Sequence, residues 1–146
     1  MDELKIIRDK RLLRGATCYM EVFPGKYTGG CWHEESIYFE EEAFRPIEYI
    51  IEGVVPGYSH YSFIDIEKDQ WTRIIERLRQ LVVFIRNAQE PWEVEADVHF
   101  MSERTQREFD SDFSNNKDQL IKMISEFCEW LETRLESTQS IAVLGL

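Results

Sequence analysis

Two apolar stripes of helical period constrain this chain more than any other feature. Trp71, Ile74, Ile75, Leu78, Leu81, Val82 and Ile85 recur at steps of three and four, which stacks them on one face of a 3.6-residue helix. Arg73, Glu76, Arg77 and Gln80 fall outside that face. Leu120, Ile121, Ile124, Phe127, Cys128, Leu131 and Leu135 repeat the rhythm near the carboxyl end. A helix with one apolar face has to bury it, so each stripe packs against a sheet or against its companion. Asp65 or Asp69 is placed to cap the first helix and Asn87 to end it, while Ser114, Asn115 and Asn116 offer caps for the second.

Elsewhere the pattern reads as strand. Val94, Ala96, Val98 and Phe100 alternate with Glu93, Glu95, Asp97 and His99, the period-2 signature of a strand wet on one face. Tyr19 to Phe23 is an apolar run stopped by Pro24-Gly25, and Ser36 to Glu41 resumes with Ile37 and Phe39 opposite Tyr38 and Glu40. Together they predict a hairpin with a long glycine-containing loop. Phe44 to Val55 also reads as extended, with Pro46 confining it to a sheet edge or breaking it. A further strand is expected over Tyr58 to Ile64. Between Asp2 and Arg14, Leu4, Ile7 and Arg11 suit a short helix ended near Gly15, although Ile6-Ile7 and Leu12-Leu13 also fit strands. The apolar Ile141 to Leu146 either docks on the core or meets a partner. The predicted fold is α+β: an antiparallel β-sheet of about four to five strands, with two long amphipathic helices packed on one face. Its 146 residues fit one domain spanning 1–146.

The charge narrows the choice of function. Asp and Glu number 28 against 17 Lys and Arg, for a net charge of −11. That balance argues against a dedicated nucleic-acid binder, which draws affinity from clustered cations. A hydrophobic share of 43% argues against a disordered acidic tail. The acids concentrate in two segments, Glu34 to Glu52, opposed only by Arg45, and Glu90 to Asp112, opposed by Arg104 and Arg107. The amino terminus and the segment from Glu67 to Arg86 are mildly basic. No apolar run suits a signal peptide or a membrane span, and Cys18, Cys31 and Cys128 are a poor disulfide framework. A cytoplasmic protein with free thiols and no membrane association is expected.

No pattern spells out a reaction. Cys31-Trp32-His33-Glu34 lacks the second ligand couple of a structural zinc site, and His60 and His99 stand alone in sequence. Gly25 to Gly30 has neither P-loop nor dinucleotide-fold spacing. No metal, no cofactor and no catalytic residue is assigned. Cys128 lies on an apolar helix face and reads as a core residue. In Glu40-Glu41-Glu42 at a strand end, only Glu40 and Glu42 would share a face. Aromatic side chains crowd the amino-terminal half, and strand alternation sends some of them to the face that carries the glutamates.

In size, in charge, and in pairing Glu34–Glu52 and Glu90–Asp112 with Tyr38, Tyr49 and Trp92, the chain resembles bacterial toxin-immunity proteins. That resemblance implies an acidic protein-interaction module that binds and neutralises a basic partner, such as a toxin or nuclease domain. The expected contact residues are Tyr38, Glu40, Glu42, Trp92, Glu95 and Asp97, aromatic anchors among carboxylates that steer a cationic surface. The competing expectation is a small-ligand-binding protein or enzyme with a pocket built from His33, His60, His99 and a glutamate. A homodimer joined through the carboxyl tail or a strand edge is a third.

Overall fold

The computed structural model describes residues 1–13 and 18–146. Four strands, β1 (Tyr19–Phe23), β2 (Ile37–Glu40), β3 (Phe63–Glu67) and β4 (Ser140–Leu144), form one antiparallel sheet in the order β2-β1-β4-β3. Four helices accompany it: α1 (Glu41–Val54), α2 (Lys68–Asn87), α3 (Glu103–Ser111) and α4 (Phe113–Leu135). The fold is α+β, with the two long helices α2 and α4 packed together over the sheet. Met20, Val22, Ile37, Phe39, Ile66, Ile141 and Val143 supply the sheet side of the core. Phe39, Phe44, Trp71 and Phe127 meet ring to ring between the layers, and the Trp71 indole donates to the Ile141 carbonyl at 3.1 Å. Every residue of both expected stripes is buried except the half-buried Ile121.

α2 ends at Asn87 as expected, but the amino-terminal caps differ from expectation. Glu67 starts α2 in a reciprocal capping box with Gln70, and Asp112 precedes α4. Asp65 instead faces away from the helices and accepts the Tyr27 N–H at 2.7 Å.

Four segments depart further from the sequence reading. Phe44 to Val55, expected as a strand, lies in α1 as far as Val54, with Val55 as its carboxyl-terminal cap. Ala43, Phe44, Ile47, Ile51 and Val54 are its buried side, a helical spacing that the β-branched residues and Pro46 disguise. Val94 to Phe100, expected as a strand, forms a 3₁₀ turn over Pro91–Val94 followed by further turns. Val94, Val98 and Phe100 are buried but Ala96 is exposed, and the Val98 N–H reaches back to the Val94 carbonyl at 2.9 Å. The strand expected from Tyr58 begins only at Phe63, because Tyr58 to Ser62 turn on the Ser59 carbonyl. The short amino-terminal helix shrinks to a 3₁₀ turn over Lys10–Leu12, while Ile7 exchanges backbone hydrogen bonds with Tyr38 on the outer edge of β2. Arg14 and Gly15, where that helix was expected to end, lie outside the described residues.

The apolar tail docks on the core. It becomes β4, an inner strand between β1 and β3, with every residue buried.

Candidate functional site: an acidic cleft at the start of α1

Chain reversal from β2 into α1 decides where the glutamates go. Glu40 ends the strand, and Glu41 and Glu42 open the helix, a favourable position for acidic residues because the amino end of a helix carries partial positive charge. All three line a cleft of about 470 Å³, together with Glu3, Glu108 and Tyr19. Across it stand Ser102, Arg104 and Thr105 at the start of α3. The Ser102 hydroxyl caps α3 by accepting the Thr105 N–H at 3.2 Å, and Glu42 accepts the Met101 N–H at 3.1 Å. Arg104 is the one cation among the described lining residues. The three consecutive glutamates therefore share a surface, where strand alternation predicted that only Glu40 and Glu42 would.

Behind Glu41 lies a buried charge network. Glu48, on α1 and fully buried, accepts from Arg45 at 2.9 Å, from the Tyr58 hydroxyl at 2.7 Å and from His60 Nδ1 at 2.8 Å. The other ring nitrogen of His60, Nε2, meets Glu41 Oε1 at 2.9 Å. With an acceptor at each nitrogen, the ring has to donate twice, which only the imidazolium does. Burial alone would lower the His60 pKa, but hydrogen bonds to Glu48 and Glu41 outweigh it and the net shift is upward. Burial and the neighbouring Glu48 charge push the Tyr58 hydroxyl far above its usual range. The network thus fixes one side of the cleft wall by holding Glu41 from behind.

A second buried carboxylate organises the opposite face of the sheet. Glu21 accepts the Trp32 N–H at 2.6 Å, the His33 N–H at 3.0 Å, His33 Nδ1 at 2.8 Å and the Ser36 hydroxyl at 2.6 Å. His33 Nε2 lies 3.2 Å from the Gly29 carbonyl, so this ring too has acceptors at both nitrogens. Its hydrogen bond to Glu21 is the main cause of its raised pKa. The glycine-containing hairpin loop is in this way folded back over the sheet, with Tyr27 against Phe63 and Phe23 against His33.

The residues expected to contact a partner are dispersed. Glu40 and Glu42 line the cleft. Tyr38 is fully buried and donates its hydroxyl to the His33 carbonyl, so it is no surface anchor; the loop laid over that sheet face removes it from solvent. Trp92 and Glu95 are exposed and Asp97 half-exposed, but on the turns after α2 rather than on a strand. Glu41, Glu3 and Glu108 join Glu40 and Glu42 at the cleft without being among the expected contacts; the run Glu40-Glu41-Glu42 is a visible signal for the first. The three histidines have separate partners: His33 with Glu21, His60 with Glu41 and Glu48, His99 with the Ala96 carbonyl. No histidine is among the described residues lining the cleft. Among the described residues, no group of three or more His, Cys, Asp or Glu is arranged to hold a metal ion.

Cys18 and Cys31 are exposed free thiols, and Cys128 is buried on α4 with burial pushing its thiol up to about 11. No helix among the described residues is long and apolar enough to cross a membrane. The chain matches no family model, no curated protein and no solved structure at a significant level.

Proposed function

We propose that this chain is an acidic protein-interaction module that binds and neutralises a basic polypeptide in the cytoplasm, in the manner of the toxin-immunity proteins it resembles. The observation that carries the reading is the cleft in which Glu3, Glu40, Glu41, Glu42 and Glu108 converge against the single cation Arg104 among the described lining residues. Carboxylates gathered at one opening create a field that draws a cationic surface in and orients it. The buried His60–Glu48 pair supports the same reading, since it holds Glu41 in place before any partner arrives.

The test is reversal of Glu40 and Glu42 to Lys, with association measured at low salt against the basic polypeptide that co-purifies stoichiometrically from the native host. Both side chains are half-exposed, so far-ultraviolet circular dichroism should be unchanged. The association rate should fall by about tenfold or more, within the range that electrostatic steering supplies. Recovery of no stoichiometric basic partner, or an unchanged rate at low salt, would remove the proposal.

A further inference from the structure

Trp32 has a left-handed backbone, with φ of 64°, a conformation that a bulky residue adopts only when its surroundings enforce it. Glu21 enforces it here by taking the N–H groups of both Trp32 and His33. The consequence is an indole left 42% exposed on the loop, packed on one side against Tyr38 at a ring-centroid distance of 5.8 Å. Beneath it opens a pocket of about 160 Å³, walled by Trp32, Cys31, Tyr19, Leu144 and Leu146, with Glu21 and the Gly145 backbone completing the lining. The Glu21 carboxylate already holds its loop donors, so the pocket presents mainly hydrocarbon, aromatic and thiol surface.

Its size and position restrict what fits. The volume equals that of about five waters at roughly 30 Å³ each, well below the 300–1,000 Å³ or so of a drug-sized ligand site. One branched aliphatic side chain fills it. Tyr19 lines both this pocket and the acidic cleft, so the two openings adjoin at that side chain, close enough for neighbouring residues of one partner segment to reach both. Lys10, whose ammonium pairs with Glu34 at 3.1 Å and lies 3.4 Å from the Trp32 carbonyl, is the nearby cation on the loop side, and its charge is matched by Glu34.

Resting on the proposed binding of a basic polypeptide, we infer that this pocket is the anchor subsite of the same interface: it receives one aliphatic side chain of the partner, flanked there by Lys or Arg residues that enter the acidic cleft. A central apolar anchor inside a charged surround is the arrangement in which a few contacts dominate binding, and tryptophan is among the residues most often found at such points. Steering falls to the cleft, and retention to the pocket.

Two end-blocked peptides, Arg-Leu-Arg and Arg-Ala-Arg, test this directly in nuclear magnetic resonance titrations of the full chain. The leucine peptide is expected to shift the Trp32 indole and the Leu144 and Leu146 methyl signals, and to bind on the order of tenfold more tightly than the alanine peptide, as burial of the extra hydrocarbon requires. Trp32→Ala should abolish the preference for leucine while leaving the shifts at Glu40 to Glu42. Leu146→Asp, which alters the pocket without touching the strained loop, should do the same. Equal affinities with the Trp32 signal unmoved would overturn the anchor, and the proposed function would stand if the cleft signals still shift. Shifts in neither place would count against both.

Discussion

Glu21 and Glu48 are nearly or fully buried carboxylates, and each is tolerable only because donors surround it. Removing Glu48 leaves His60 and Arg45 facing a void, so Glu48→Ala should cost about 3–5 kcal/mol in urea unfolding, the usual penalty for breaking a buried ion pair from one side. The two histidines give this stability a pH dependence. Their folded pKa values lie above the ordinary 6.5. The stabilisation from each is therefore fully present below that pH and is lost as pH rises through the raised values. The urea midpoint of the natural chain should fall over that rise, and its advantage over His60→Gln should shrink; a midpoint that climbs with pH would contradict the clamp. Neither pair was legible in the sequence. Glu21 precedes His33, and Glu48 precedes His60, by twelve residues, across turns whose direction no local pattern specifies. Gly145 is a third such position. A Cβ there would press on the His60 carbonyl and come within 2.9 Å of the Ser62 oxygen, so Gly145→Ala should lower the melting temperature by several degrees.

At the scale of elements, β4 holds the sheet together. It separates β1 from β3 and pairs with both, so truncation after Gln139 should abolish the cooperative unfolding transition; a truncated chain that still melts sharply would contradict its inner placement. The long helices and the β1–β2 hairpin were legible because their apolar periods run uninterrupted. α1 was not, since Ile50, Ile51, Val54 and Val55 favour strands and Pro46 argues against a helix interior, and tertiary burial of the Phe44–Ile47–Ile51 side overrode both. The segment after α2 misled for the opposite reason. Its alternation is genuine in sequence, but burial follows Val94 and Val98, four residues apart, and leaves Ala96 in solvent. The cap of α2 is also testable: Glu67→Ala should cost about 1 kcal/mol.

For the whole molecule, the position of the charge matters more than its sum. The formal −11 counts histidine as neutral, whereas His33 and His60 each sit between acceptors at both ring nitrogens; His33 is paired with buried Glu21, and His60 is shared between buried Glu48 and Glu41 at the cleft wall. The cleft glutamates come from segments far apart in the chain, Glu3 near the amino terminus, Glu40 to Glu42 at the β2–α1 junction and Glu108 on α3. Composition announced an acidic surface, and Glu40 and Glu42 were legible as part of it. Convergence with Glu3 and Glu108 depended on how α3 packs, which had no sequence signal strong enough to place it. The proposed function turns on that convergence. A backbone-amide titration of the natural chain with an arginine-rich peptide at low salt measures it most directly. Saturable shifts confined to Glu3, Tyr19, Glu40 to Glu42, Ser102 to Thr105 and Glu108, lost on adding salt, are expected. Shifts scattered over every acidic segment alike, or none at the cleft, would contradict it.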